Sequence, residues 1–361
     1  MHKNKEVASI RKDGYCEIYH RDFMPYNLYF EVQTQDLDER VNNLTNFYYW
    51  CSSRVLSLDR KYAKEILNFL DKKQAVTDKD RAEIALSYHC LTLTDVFWVR
   101  KNDETLFFEN ISLYRHSLSE AFFDVCLRGV NPTLQNQEFL TQGKVAGDIS
   151  TSGVAPKAWL RKNGEIFLYK DGNINEVNAE LLASKIAGCF QCNRVEYFEE
   201  YYLGQKVCAS KLITSEDKSI VPMEFIEVYA ANNNTDRFSI VLNKDAYNYY
   251  MMNIIDYLTG NSDRHWGNWG FFVDNATNQL TELYPLMDFN KAFTAYENIE
   301  GAKCLTSKPT MAQKQAAIEA VSEIGLNQIA EISDEWFYDA KIREMFFKRL
   351  AVLKEVESAK K

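Results

Sequence analysis

The spacing of apolar positions changes twice along the chain, and the changes divide it into three stretches. Through residues 1–140 the pattern is mainly helical. Thr77-Asp-Lys-Asp80 has the form of a capped start ahead of Ala82, Ile84, Ala85, Leu86 and Tyr88, and Ser117-Leu-Ser-Glu120 repeats that form ahead of Ala121, Phe122, Phe123, Val125 and Cys126. Between them, Thr94–Arg100 reads as a short extended piece closed by the polar Lys101–Glu104. From 141 to 228 the period shortens. Two extended runs, Ala158–Arg161 and Glu165–Lys170, flank Asn163-Gly164, a dipeptide whose tolerance of positive φ marks a tight hairpin. A helix over Asn175–Gly188 follows, with Val177, Leu181, Leu182, Ile186 and Ala187 on its apolar face, and then strands near Tyr201–Leu203, Lys206–Ile213 and Val221–Val228. From 229 to 361 the chain is helical again from about Asp245. Tyr247–Leu258 stops at Gly260, and Ala312–Ile324 and Asp334–Glu357 read as helices. One hairpin interrupts that stretch, Gly270–Val273 and Leu280–Leu286 joined through Asp274–Gln279.

Composition narrows the class without naming a function. The 361 residues are 46% hydrophobic and 26% charged, an ordinary globular balance. The 21 Tyr and 22 Phe are numerous enough that most must serve packing. A net charge of −9 argues against a surface that coats nucleic acid, though it leaves room for a local cationic pocket. No run of eighteen apolar residues is present, so no membrane span is expected. The polar Met1-His-Lys-Asn-Lys-Glu start has no apolar signal core. Eight Cys lie at 16, 51, 90, 126, 189, 192, 208 and 304, and the one close pair, Cys189-Phe-Gln-Cys192, has no second pair to complete a zinc site. Unpaired thiols without a secretory signal are expected in a reducing cytoplasm.

The candidate chemistry concentrates in Asn261-Ser-Asp263-Arg-His265-Trp-Gly-Asn268, followed across the hairpin by Met287-Asp288-Phe289. An Asp, an Asn five positions on and a later Asp before Phe form the set that phosphoryl transfer needs. Asp263 would accept or orient a hydroxyl proton, while Asn268 and Asp288 would supply oxygen ligands to Mg²⁺ on nucleotide phosphates. His265 would be an orienting hydrogen-bond partner in the loop. Taken alone, Asn261, Ser262 and Asp263 could simply cap and turn the backbone; the ordered set favours catalysis. Lys170, at the end of a strand ahead of a helix carrying Glu180, stands in the order of a phosphate-fixing Lys–Glu pair, against the plain alternative of two solvated charges. Lys157 is a second candidate for phosphate contact. The Ser150–Lys157 segment, with Ser152 and Gly153, could cradle phosphates through backbone N–H groups or serve only as a connector. Glu224-Phe225-Ile226 is the stretch best placed to meet adenine.

These residues resemble those of HipA-like serine/threonine kinases. Ser152-Gly-Val-Ala-Pro-Lys157 is similar to that family's Ser-Gly-x-x-x-Lys loop, Asn178-Ala-Glu180 with Ile186-Ala187 to its αC-like helix, Asn261-x-Asp-x-His-x-x-Asn268 to its catalytic loop, and Tyr284-Pro-Leu-Met-Asp288 to its metal-binding strand end. The resemblance covers about residues 140–350. It implies an α+β, two-lobed protein-kinase-like fold behind a mostly helical N-terminal region, with an N-lobe over 141–228 and a helical C-lobe over 229–361. It further implies ATP and Mg²⁺ as cofactors, a protein Ser or Thr acceptor, Asp263 as base, Asn268 and Asp288 on metal, and Lys170 on phosphate paired with Glu180. Several family members are toxins with a DNA-binding antitoxin partner, and some are autophosphorylated in the loop, which nominates Ser150 or Ser152. The chain departs from the pattern in its Val-Ala-Pro before Lys157, in Phe-Asn after Asp288 and in its helical first 140 residues. Two other readings fit the motifs: a phosphoinositide-type lipid or small-alcohol kinase, since Asp-Arg-His-x-x-Asn also resembles that loop, and a nucleotide-binding pseudokinase acting as an interaction module.

Overall fold

The computed structural model describes residues 1–72, 75, 77–129, 147–150, 153–294, 296–307 and 310–359. Two compact units share the chain: Met1–Asp171 with Lys211–Ile220 and Val273–Gln279, and Gly172–Ser210 with Val221–Phe272 and Leu280–Lys361. The expected boundary at 140/141 lies outside the described residues, and the one at 228/229 falls inside a helix.

The first unit opens with a short antiparallel pair, β1 (Ala8–Ile10) and β2 (Cys16–Ile18), which sequence reasoning missed. Gly14 makes their turn possible: it has φ +81°, and a Cβ there would meet the Arg40 carbonyl oxygen at 2.1 Å. Helices α1 (Leu37–Ser52), α2 (Ala63–Phe69), α3 (Asp78–Ser87), α4 (Phe108–Ile111) and α5 (Glu120–Arg128) follow. Thr77 caps α3 through a reciprocal box with Asp80, as expected. The expected box at Ser117 is not the cap of α5. Ser119 holds that place and accepts from Phe122 N, because it alone has its oxygen over the first turn's N–H groups. Leu91, Leu93, Val96, Trp98, Phe108 and Ile166 are the centre of this unit's core. Strands β3 (Lys157–Lys162) and β4 (Glu165–Lys170) pair in the register of a two-residue turn, with Asn163 at φ +54° and Gly164 at φ +83°.

In the second unit, α6 (Ile174–Ala187) is capped by Asn173 and Glu176 in a full box. Strands β5 (Tyr197–Tyr202) and β6 (Gln205–Lys211) form a second hairpin through Leu203-Gly204. A three-stranded sheet, whose residues are assigned partly to each unit, runs β7 (Lys218–Pro222), β8 (Gly270–Asp274), β9 (Gln279–Leu283). The expected strand Val221–Val228 is corrected: β7 ends at Pro222, and Met223–Asn232 is a helix, α7. Pro222 has no N–H to continue a ladder and suits a helix N-cap instead. The long α8 (Arg237–Thr259) is broken at Asp245 (φ −158°), whose carboxylate accepts from Asn248 N, so a helix does start where the sequence places it. Helices α9 (Gln313–Ile324) and α10 (Ala340–Ala359) pack on α8. Met251, Ile254, Leu258, Ala317, Val321 and Phe346 are fully buried there. No helix among the described residues is long and apolar enough to cross a membrane.

Candidate active site

The site begins where α8 must stop. Gly260 sits at φ +61°, and a Cβ there would lie 2.4 Å from the Tyr296 ring, so only glycine closes the helix and releases the loop that follows. Asn261 is buried. Its N–H donates to Asp256 O (3.0 Å), and its side-chain oxygen accepts from Asp263 N (3.3 Å). The Asp263 carbonyl accepts twice, from His265 N (2.8 Å) and Asn268 Nδ2 (2.9 Å). The loop is therefore held by the main chain of Asp263, and none of these bonds uses its carboxylate. With its amide nitrogen on Asp263 O, Asn268 has its side-chain oxygen as the end left to present to a cation. His265 is exposed and accepts from Gly267 N through Nδ1 (3.0 Å), a bond within the turn.

The wider tie is Arg264, with a side chain only 2% exposed. Its Nε lies 3.0 Å from Asp256 Oδ2 and its Nη2 3.0 Å from Asp256 Oδ1, a bidentate pair. Burial works to lower the guanidinium's pKa, but the Asp256 charge and hydrogen bonds outweigh it and the net shift is upward. Its Nη1 donates to Asn268 O (3.0 Å) and Met287 O (2.5 Å). One guanidinium thus holds the residue at the end of the catalytic-loop motif and the residue before Asp288 together.

Asp288 has φ +61°, a left-handed conformation that a non-glycine residue keeps only where its surroundings impose it. Asp288 N donates to the Tyr197 hydroxyl (3.3 Å), and Phe289 N donates to Glu180 Oε2 (2.9 Å). Glu180, 1% exposed, therefore anchors the backbone beside Asp288 from α6, and Lys291–Glu176 (2.6 Å) adds a second link to the same helix. Among the described residues no three His, Cys, Asp or Glu side chains gather as a metal cluster. The buried Oδ1 of Asn290, two residues past Asp288, has no hydrogen-bond partner, an acceptor suited to a donor or cation brought by a ligand.

In the first unit, Lys157 and Lys170 are directly opposed across β3–β4. Gly153, at φ +88°, sits close enough to Lys157 that a Cβ would be 3.2 Å from Nζ. Ser152 lies outside the described residues. Ser150 is described, and both its N–H and its hydroxyl donate to Asp148 Oδ1, at 2.7 and 2.6 Å.

No protein-family model matches the sequence, and no curated protein matches it. Solved structures do. HipA of Shewanella oneidensis MR-1, from its toxin–antitoxin complex with HipB and operator DNA, has a TM-score of 0.52 at 13% identity, covering 86% of this chain and 87% of that one. The chain has a HipA-like kinase fold. The Helicobacter pylori proinflammatory kinase CtkA has a TM-score of 0.46 at 14% identity over 58% of this chain and 92% of that one.

Within the HipA-like fold, the expected adenine stretch is helical. Phe225 is half-buried, Ile226 is fully buried, and Glu224 opens α7 with its N–H on Trp266 O (3.2 Å). Met223 N donates likewise to Trp269 O (2.9 Å), so the loop after Gly260 caps α7. Its first N–H groups are taken by Trp269 and Trp266 and the backbone beyond is helical, so this stretch lacks the extended edge expected of it. Although Glu224 reaches solvent, partial burial raises its carboxyl above the usual range, an effect His265 opposes. Sequence reasoning also missed Gln313. Its Nε2 donates to Asn261 O (2.6 Å) and its Oε1 accepts from Ala302 N (3.1 Å), which joins the start of the Asn261–Asn268 loop to the segment after Asp288. Gln313→Ala leaves one buried and one half-buried main-chain group unpaired and is expected to destabilise the protein by about 1–3 kcal/mol in urea unfolding; a change within 0.5 kcal/mol would mean that this bridge contributes nothing.

Proposed function

We propose that this chain is an ATP- and Mg²⁺-dependent kinase that transfers a phosphoryl group to the hydroxyl of a protein Ser or Thr. One observation carries the reading: Arg264 ties the Asp263–Asn268 loop to Met287, immediately before Asp288. Mg²⁺·ATP, when bound, supplies an electrophilic γ-phosphorus with its charge partly neutralised. Asn268 Oδ1 and the Asp288 carboxylate would hold the metal. Asp263 takes up, or orients, the proton of the incoming hydroxyl, so the oxygen attacks with more negative charge. Lys157 and Lys170 provide positive charge for the nucleotide phosphates, with Glu180 as the counter-charge of Lys170. By likeness to a HipA assembled with HipB and operator DNA, an antitoxin-type or other regulatory protein is the proposed partner, and the hydroxyls at 150–152 are the proposed autophosphorylation sites.

The purified protein with radiolabelled ATP and Mg²⁺ tests this, with mass spectrometry of the product. Label on protein and a phosphate on Ser150, Thr151 or Ser152 is the expected result. Saturating Mg²⁺·ATP should also raise the melting temperature, since ligand at 100 times Kd adds about 2.7 kcal/mol to the native state. Stabilisation without transfer to protein or lipid would instead make the chain a nucleotide-binding module. Transfer to phosphoinositide vesicles alone would move the acceptor to a lipid.

A further inference from the structure

The N-terminal helical region reaches the phosphate loop at three points. Leu56 N donates to Ile149 O (2.7 Å), Lys61 N donates to Val154 O (3.0 Å), and the Arg60 guanidinium donates to the Lys157 carbonyl. Residues 56–61, between α1 and α2, therefore run as a strap over the described ends of the hydroxyl-rich stretch. Arg60 is 3% exposed, which commits its charge to this place rather than to solvent. The strap has its own anchor. Arg54 is buried in a bidentate pair with Asp95 (2.6 and 2.8 Å), and its Nε donates to Cys90 O (2.6 Å). On the opposite side, Asp171 N donates to Pro156 O (2.9 Å) and Arg128 pairs with the Asp171 carboxylate. The main chain is thus held at Pro156 by Asp171 and at Lys157 by Arg60, while the Lys157 ammonium lies by Gly153 and its strand position faces Lys170.

We propose that Arg60 is a positioning residue for anion binding: by holding the Lys157 carbonyl it sets where the Lys157–Lys170 pair stands, and so gives the N-terminal region control over how tightly nucleotide phosphates are held. This rests on the kinase reading for the identity of the anion, but not for the strap itself. A guanidinium suits the task because several donors in a rigid fork lose little freedom on binding a carbonyl. Its removal would let the loop end move without touching the groups that act on the acceptor hydroxyl. The expected signature is a change in nucleotide affinity far larger than the change in turnover.

Arg60→Met and Arg60→Lys should be compared with wild type and Lys157→Met by amide hydrogen exchange and by phosphotransfer kinetics. In the absence of nucleotide, Arg60→Met should speed exchange of the Leu56 and Lys61 amides, the two that donate to the loop, at least tenfold, and Arg60→Lys, which keeps one donor, should restore much of the protection. In kinetics, KM for ATP should rise about tenfold in Arg60→Met while kcat at saturating ATP falls by less than threefold. Unchanged exchange in a folded Arg60→Met overturns the strap. Equal losses in kcat, ATP affinity and melting temperature, unrelieved in Arg60→Lys, overturn the positioning role in favour of general packing. Wild type that binds no Mg²⁺·ATP while the exchange result holds would bring down the kinase reading and leave the strap standing.

Discussion

Asp263→Ala should lose about 10³-fold or more in kcat, on the order of 4 kcal/mol of barrier, while still being stabilised by Mg²⁺·ATP. The size follows from what a positioned proton acceptor contributes in such sites, and the selectivity follows from the loop's geometry. The bonds that shape the loop run through the Asp263 N–H and carbonyl, to Asn261, His265 and Asn268. Truncation at Cβ removes the carboxylate and leaves those bonds in place. Asp263→Asn sharpens the result, since an amide can orient a hydroxyl by accepting its hydrogen bond but cannot take the proton at neutral pH. Asn268→Ala should behave differently. It removes both a candidate metal oxygen and the donor to Asp263 O, so its defect should include a higher Mg²⁺ requirement. If Asp263→Ala turned over within tenfold of wild type, another group would have to receive the proton.

Much of the local fold is legible in the sequence because its signals are local. Asn163-Gly164 requires positive φ at two successive residues, Gly260 ends a helix in the left-handed conformation, and Thr77 with Asp80 caps α3, so each can be read within four residues. The misreadings share the opposite property. Three-residue strands such as Ala8–Ile10 are too short to show a period. Met223–Asn232 carries a short apolar run that suits strand or helix equally, and Pro222 decides only once a preceding strand is known to end there. Ser117 and Ser119 are both chemically able to cap, and geometry chooses between them. Asp256 and Arg264 pair across the end of a helix and a left-handed glycine, a separation of eight residues that no periodicity marks. The residues expected to do chemistry could be named from the sequence; those that hold them in place are long-range partners.

Asp256→Ala should therefore destabilise the protein by about 3–5 kcal/mol, because it leaves the Arg264 guanidinium buried without its counter-charge. Urea unfolding followed by circular dichroism measures this. The double variant Asp256→Leu/Arg264→Met should be far less unstable than the single one, since it removes both charges and keeps much of the apolar volume. Its turnover should nevertheless stay low. Arg264 also donates to Asn268 O and Met287 O, and no methionine can hold those two carbonyls together. Stability and catalysis would then come apart in one variant: the fold tolerates the loss of the ion pair, while the proposed metal ligands lose the side chain that sets their spacing. A single variant costing under 1 kcal/mol would mean the pair is solvated rather than buried. A double variant with full turnover would confine Arg264 to neutralising Asp256 and would leave the spacing of Asn268 and Asp288 to the β8–β9 hairpin alone.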